Sequence, residues 1–198
     1  MTTATTTSIA PGDTLHIALH HAASTGARSA VGLAGFAGAE LRAGGAGQSA
    51  GGAGQGAAGA GDAGDAAIKL TPLVESPLLA AGPLAVPATI GVQLFDLTVG
   101  GEVFTAFEER IIGRYTEFRS AMGWRYAGLY AVESQGLAHP FARAVVYVVD
   151  VPTGAEAQQL AESGGAPPAE IMAFGAECST YKTDPGTWLW LEPRPLEA

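Results

Sequence analysis

The segment of residues 103–150 constrains the fold most, because it contains one helix and two strands in a single readable pattern. Its first part carries apolar residues at steps of three and four, which places them on one stripe of an α-helix. The members of this stripe are Phe104, Phe107, Ile111, Tyr115, Phe118 and Met122. Gly123 follows directly and predicts the C-terminal end of the helix.

Two strands follow this helix in the sequence. The first has alternating large side chains at Trp124, Tyr126 and Tyr130, and the second is a β-branched run within residues 142–151. Both patterns are typical of strands. The loop over residues 133–141 contains Gly and Pro, which favour a reversal of the chain. The segment therefore predicts a helix followed by an antiparallel hairpin.

Flanking signals extend this unit in both directions. A strand is predicted over residues 89–99 before the helix, and Thr187–Leu191 reads as a closing strand. Between them, Thr153 and Glu156 form a capping box that starts a helix, which resumes over residues 168–180. The order strand, helix, strand, strand, helix, strand predicts an α+β fold: a ferredoxin-like split βαβ antiparallel sheet with two covering helices.

Both faces of the predicted sheet are apolar, whereas two helices can cover only one of them. We expect the uncovered face to carry most of the aromatic strand residues, which are Phe95, Trp124, Tyr126, Tyr130, Trp188 and Trp190. Soluble monomers rarely expose an apolar patch of this size. A symmetric partner that buries the patch is the natural solution, so the sequence predicts a homodimer.

The first half of the chain is dominated by a tract of Gly and Ala at residues 43–66. Such a tract buries too little side chain to offset the entropy of ordering it, and a flexible coil of about 24 residues spans about 25–30 Å. Short strands are predicted at Thr14–His21 and residues 67–74. A helix, weakened by four glycines, is predicted over residues 24–42.

These features divide the chain into four parts. Residues 1–43 form an N-terminal segment that is a candidate degenerate first half-domain, and residues 44–66 form a Gly/Ala-rich flexible linker. Residues 67–86 are a connector, and residues 87–198 are the ferredoxin-like α+β barrel domain.

Composition excludes several classes of function. The net charge is −9 and the chain contains two lysines, so it lacks the basic cluster that nucleic-acid binding needs. No run approaches the roughly 20 apolar residues of a membrane span, and no signal peptide is recognisable. A single cysteine, Cys178, excludes an intramolecular disulfide and reads as a small buried hydrophobe. We therefore expect a soluble cytoplasmic protein without a nucleic-acid or membrane partner.

The second half resembles the dimeric α+β barrel superfamily, and within it the NIPSNAP-type and antibiotic-biosynthesis-monooxygenase-type domains. The resemblance rests on the run from Phe104 to Glu109, on Met122-Gly123-Trp124, on His139-Pro140-Phe141 and on Trp188-Leu189-Trp190. It implies a barrel with a small-molecule cavity more strongly than it implies one activity, because this superfamily includes oxygenases, cyclases, isomerases, haem enzymes and noncatalytic modules.

Candidate site residues cluster on the predicted hairpin. In a catalytic site, Arg143 would hold a developing oxyanion, and His139 or Tyr147 would move a proton. The candidate substrate-binding residues are the aromatic side chains Trp124, Tyr126, Tyr130, Phe95, Trp188 and Trp190, whose alternative role is that of core and dimer seam. No motif indicates a metal site or a bound cofactor. A zinc site would need at least one ligand beyond His16 and His20.

Two functions remain open from the sequence. The first is a small-molecule tailoring enzyme, of the cofactor-independent oxygenase or cyclase type, that acts on an aromatic or polyketide-like substrate in an apolar barrel cavity. The second is a noncatalytic, NIPSNAP-like dimeric protein that binds a ligand or partner. Haem binding is a further alternative, with His139 as a candidate ligand.

Overall fold

The computed structural model describes residues 8–21, 33, 36–44, 66–86, 89–183 and 186–191, which form a mixed α+β fold. The strands are β1 (Ser8–Ile9), β2 (Thr14–His21), β3 (Phe36–Gly44), β4 (Ala66–Glu75), β5 (Leu84–Ala85), β6 (Thr89–Phe95), β7 (Trp124–Gln135), β8 (Arg143–Val149) and β9 (Thr187–Leu191). The helices are α1 (Pro77–Ala80), α2 (Gly101–Ala121), α3 (Gly154–Ser163) and α4 (Ala169–Thr180).

Seven strands form one antiparallel sheet in the order β3-β2-β4-β7-β8-β6-β9, and β1 pairs with β5 separately. The large sheet is curled, because its two edge strands, β3 and β9, come into contact with each other. The curl creates an inner face that the strands enclose and an outer face on which α2, α3 and α4 pack. The expected mixed α+β class with an antiparallel sheet is confirmed.

The inner face is filled by aliphatic side chains. Those from the five strands β2, β4, β6, β8 and β9 include Leu15, Ile17, Leu19, Ile68, Leu70, Ile90, Val92, Leu94, Val146, Val148 and Leu189. Each of these residues is at most 3% exposed. Since full burial of one such side chain contributes about 1.5–3 kcal/mol, this cluster is a main source of the stability of the sheet.

The outer face carries the aromatic side chains and is covered by the helices. Phe95, Trp124, Tyr126, Tyr147 and Trp190 pack with the apolar stripe of α2 on this face. Our expectation that the aromatic residues lie on the uncovered face is therefore wrong. A concave sheet face has less room for each side chain than a convex one, so aliphatic residues fill the inside and rings occupy the outside.

The inner face and the outer face over β6–β9 are thus buried within one chain in the described residues, whereas the outer face of β2 and β4 is partly exposed, as at His16 and Ala67. The inner face is enclosed by the sheet itself, since β2, β3 and β4 extend it beyond the predicted unit. The uncovered apolar face from which we predicted a homodimer does not exist in this arrangement. The homodimer therefore loses the observation that supported it, although nothing in the structure tests the state of association itself.

A β-bulge in β7 changes which face its side chains reach. The pairing of β7 with β8 shifts between Tyr126 and Gly128, so one extra residue is inserted there. Tyr126 consequently lies on the outer face and Tyr130 on the inner face, although their spacing of four predicts the same face. The bulge is anchored by Ser76, whose hydroxyl donates to the carbonyl oxygen of Tyr126 and whose N–H donates to that of Ala127.

The N-terminal part of the chain joins the same sheet. The strand predicted at Thr14–His21 is confirmed as β2, and β4 covers the strand predicted at residues 67–74. The helix predicted over residues 24–42 is wrong from residue 36 onward, because β3 pairs there with β2. Pairing with β2 overrides the weak helix propensity of this Gly-rich segment.

Most of the Gly/Ala tract lies outside the described residues, but its two ends are placed. β3 and β4 flank β2, and both are antiparallel to it, so they run parallel to each other. Gly44, where β3 ends, and Ala66, where β4 begins, therefore lie at opposite ends of the sheet. The proposed division into four parts stays a prediction, although the hydrogen-bonded sheet runs across its boundary at residue 86.

The predicted helix ends are confirmed in detail. α2 ends at Ala121, and Gly123 takes the left-handed conformation with φ of 79°. The hydroxyl oxygen of Thr153 accepts a hydrogen bond from the N–H of Glu156 at 3.2 Å, as a capping box requires. None of the helices in the described ranges combines the length and the apolar character that crossing a membrane requires.

Candidate functional site

A cavity of about 240 Å³ lies between the outer face of the sheet and helices α2 and α4. Its lining combines aromatic rings with a small number of polar groups, which is the usual composition of a small-molecule site. The lining residues are Gln93, Phe104, Glu108, Ile111, Tyr115, Tyr126, Val145, Tyr147, Phe174, Gly175, Cys178, Ser179 and Lys182.

Glu108 is the central polar group of this cavity. It lies on the apolar stripe of α2, four residues after Phe104, and is only 4% exposed. Burial raises the pKa of its carboxyl group, while the hydrogen bond from the Tyr126 hydroxyl and the charge of Lys182 act in the opposite direction. A carboxyl group in such surroundings is a candidate for proton transfer, since its pKa moves toward neutral pH.

Two tyrosines and one arginine form a hydrogen-bonded cluster of side chains at this cavity. The Tyr115 hydroxyl oxygen accepts a hydrogen bond from Arg119 Nη2 at 2.6 Å and another from the Tyr147 hydroxyl at 3.2 Å. Both of these hydrogen bonds use lone pairs of the Tyr115 oxygen. The hydroxyl hydrogen of Tyr115 therefore remains available for donation to a ligand oxygen. Arg119 also lies over the ring of Tyr115, at 4.9 Å from the centroid, which fixes the pair.

Stacked rings give the cavity a flat wall. The rings of Tyr126 and Tyr147 are stacked with centroids 5.0 Å apart, and Tyr115 meets Tyr126 edge-on at 5.6 Å. Burial raises the pKa of Tyr126 and of Tyr147 well above the ordinary value, so both hydroxyls stay protonated. These two tyrosines can therefore donate hydrogen bonds but cannot serve as bases.

Lys182 and Cys178 supply the remaining polar atoms. The ammonium group of Lys182 lies 3.9 Å from the ring centroid of Phe95. Burial raises the pKa of the Cys178 thiol although Lys182 acts to lower it, so this thiol is not activated as a nucleophile. The predicted buried Cys178 is half-buried in the structure, and Lys182 is a basic neighbour that acts on its thiol.

The structure places the predicted aromatic residues in four different surroundings. Tyr126 and Tyr147 line the cavity. Trp124, Trp188 and Trp190 pack against one another on the same face of the sheet and do not belong to the cavity lining, and Phe95 lies beneath Lys182. Tyr130 is on the inner face, where its hydroxyl has no hydrogen-bond partner among the described residues.

His139 and Arg143 lie away from this cavity. His139 is 63% exposed and its Nε2 contacts a carboxylate oxygen of Asp96. Arg143 is half-buried near Gly101, where α2 begins, and donates to the carbonyl oxygen of Ala142 at 2.9 Å. Burial lowers the pKa of Arg143. No contact among the described residues joins either side chain to Tyr147, so the predicted catalytic trio is not assembled.

The histidines of β2 do not form a recognisable metal site. His16 is exposed and His20 is buried, and the side chain of His21 lies outside what the structure describes. Within the described ranges, no three His, Cys, Asp or Glu side chains are grouped as metal ligands would be.

Glu108, Tyr115 and Lys182 are the site residues that sequence reasoning missed. For Glu108 the signal was available, because a carboxylate occurs within the apolar stripe of a helix at the spacing of Phe104, Ile111 and Tyr115. Lys182 gave no such signal, since it lies in a loop after α4.

No protein-family model, no curated protein and no solved structure matches this chain. A function therefore has to rest on the chemistry of the cavity.

Proposed function

We propose that this protein is a small-molecule tailoring enzyme of the cofactor-independent oxygenase or cyclase type. Its substrate would be an aromatic or polyketide-like molecule bound in the cavity between the sheet and α2. The observation that carries the proposal is the buried carboxyl group of Glu108, enclosed by aromatic rings and held by the Tyr126 hydroxyl. Burial of an ionisable group in apolar surroundings is costly and is typical of acid–base sites.

Oxygenases and cyclases of this type share a first step. A base removes a proton from a carbon or a phenol, and the electron pair moves onto an oxygen as an enolate or phenolate. Ionised Glu108 would take the proton. The raised pKa of its carboxyl group makes the carboxylate a stronger base than an exposed one.

The developing oxyanion needs a hydrogen-bond donor within the same cavity. Tyr115 is suited to this role, since Arg119 and Tyr147 both donate to its oxygen and leave its own hydrogen for the ligand. A positively charged donor behind a hydroxyl also polarises it, which strengthens the hydrogen bond that it donates. Loss of one such donor typically costs about 10²–10³ in rate.

The order of the strands supports the barrel interpretation. β6, β7, β8 and β9 lie in the order β7-β8-β6-β9, with α2 connecting β6 to β7 and the α3–α4 pair connecting β8 to β9. This is the order that a ferredoxin-like split βαβ unit requires. We propose that the unit is of this type, extended by β2, β3 and β4 on one side. Whether two copies pair into a dimeric barrel is a separate proposal.

The proton-transfer step can be tested without the natural substrate. 2-Tetralone is a fused aromatic ketone whose benzylic α-hydrogens exchange with D₂O when a base forms the enolate, and NMR measures the exchange. We expect the protein to accelerate this exchange, and Glu108→Gln to lower the enzymatic rate about 10²-fold or more. Glu109→Gln is the matched control, because Glu109 is the exposed neighbour on the same helix. Equal rates in both variants would contradict the proposal.

Noncatalytic ligand binding, as in the NIPSNAP-like alternative, is the second candidate. It is favoured by the fact that Glu108 is the sole carboxyl group among the described residues lining this cavity. Binding of 2-tetralone without any enhanced exchange would support it. Haem binding stays a prediction, and reconstitution followed by a search for a Soret band tests it.

A further inference from the structure

Lys182 is held at the wall of the cavity by the backbone on either side of it. It forms an isolated β-bridge with Leu97, and the carbonyl oxygen of Tyr181 accepts a hydrogen bond from Thr98 at 2.8 Å. Its side chain is half-buried, with the ammonium group over the ring of Phe95. The position of this cation is therefore set by the fold.

The surroundings of Lys182 differ from those of the surface cations. Lys69, Arg110 and Arg125 each form a salt bridge with a carboxylate, at 3.0, 2.5 and 2.5 Å. In the part of the chain that the structure describes, no carboxylate lies within salt-bridge distance of Lys182. An ammonium group that forms no salt bridge among the described residues, at the wall of a largely apolar cavity, favours an anionic ligand.

The nearest acid in the cavity does not oppose such a ligand strongly. Glu108 faces the same cavity, and burial raises the pKa of its carboxyl group, which favours the neutral form. A negatively charged ligand group would thus meet Lys182 and, in the same cavity, a carboxyl group whose ionisation is opposed by burial. The whole chain has a net charge of −9. The wall of this cavity, in contrast, carries a positive charge at Lys182 and a carboxyl group whose ionisation is opposed by burial.

We infer that the cavity selects aromatic acids: the ring system packs on the tyrosine wall of Tyr126 and Tyr147, and a carboxylate or phenolate pairs with Lys182. This inference rests on the proposed function, because it names the class of substrate for the same cavity. Pairing with Lys182 would also orient the molecule within the cavity that Glu108 lines.

A matched pair of probes isolates the charge. 2-Naphthoate and 2-naphthamide have nearly the same shape, but only the first is an anion at pH 7.5. We expect isothermal titration calorimetry to show about tenfold tighter binding of the naphthoate, as a partly exposed charge-assisted contact provides. Lys182→Met should remove this preference and leave naphthamide binding unchanged.

Lys69, the other lysine of the chain, provides the control. It lies on the exposed side of β4 and forms a salt bridge with Glu133. Lys69→Met should keep the full preference for naphthoate, and so should Lys182→Arg, which retains the charge. Folding of each variant is checked by circular dichroism. Should Lys182→Met not fold, the comparison of Lys182→Gln with Lys182→Arg replaces it.

Two results would overturn the inference. Equal binding of both probes to the wild-type protein would show that the cavity is indifferent to charge, and absence of binding by either would show that it does not take ligands of this class. Neither result decides the proposed function, which the exchange of 2-tetralone tests with an uncharged compound. Exchange without a preference for naphthoate would therefore leave the enzyme proposal intact and remove only the substrate class.

Discussion

The carboxyl group of Glu108 couples the stability of the protein to pH. Its pKa in the folded state is raised by burial, so the folded chain binds the proton more tightly than the unfolded chain. The stability that this group contributes is fully present below the unfolded pKa, near about 4.3, and is lost as the pH rises through the folded pKa. One such group changes the free energy of unfolding by at most about 1.4 kcal/mol per pH unit.

We expect Glu108→Gln to remove this dependence. Relative to the wild-type protein, the variant should gain stability between about pH 4.5 and the folded pKa, because glutamine carries no charge that burial penalises. Thermal unfolding followed by circular dichroism over this range measures the difference. Glu109→Gln, which removes the same formal charge from an exposed position, should show no comparable trend. A difference that shrinks with rising pH would mean that Glu108 is held as a stabilised carboxylate.

Part of this site was accessible from the sequence at the level of single residues. Tyr126 and Tyr147 follow from the alternation of two recognisable strands, and both line the cavity. Glu108 was visible as a charged position on an apolar stripe. Lys182 was not, because its place depends on a β-bridge between a loop and the residue Leu97, far apart in sequence.

Among the secondary structure elements, β7 depends most on a single glycine. Gly128 has φ of 157°, and a Cβ atom added there would lie 2.3 Å from the carbonyl oxygen of Val74. We expect Gly128→Ala to destabilise the protein by about 1–3 kcal/mol, since the bulge and the pairing of β4 with β7 both have to shift. Urea denaturation gives the change in free energy of unfolding.

A second glycine provides the control for this substitution. Gly113 is an exposed residue of α2, and a Cβ atom added there meets nothing within 4 Å. Gly113→Ala should therefore stabilise the protein by about 0.5–1 kcal/mol through helix propensity. If both substitutions changed stability in the same direction, the bulge would not be the cause of the effect at Gly128.

The same bulge shows the limit of predicting secondary structure elements from this sequence. α2, β8 and the capping box of α3 were predictable, because periodicity and caps are local signals. The inserted residue in β7 has no local signal beyond one glycine, and it moves Tyr130 to the opposite face from the one its spacing predicts. The strand character of residues 36–42 was likewise hidden, since it comes from pairing with β2.

At the scale of the whole molecule, the curl of the sheet was the feature that the sequence did not reveal. The predicted unit contained four strands, and its apolar inner face needed a cover. β2, β3 and β4 supply that cover by extending the sheet until β3 meets β9. Such contacts join residues on either side of the Gly/Ala tract, so no window of local sequence indicates them.

This closure changes the expected state of association. The large hydrophobic residues exposed within the described ranges are Leu73, Val103 and Met172, which lie on three different elements. Isolated residues of this kind do not form a patch that a second copy would have to bury. We therefore expect a monomer of about 20 kDa at micromolar concentration, measured by size-exclusion chromatography with light scattering. A particle of about 40 kDa would contradict this expectation and support the homodimer. In that case Met172→Glu and Val103→Glu would show which helix surface lies in its interface.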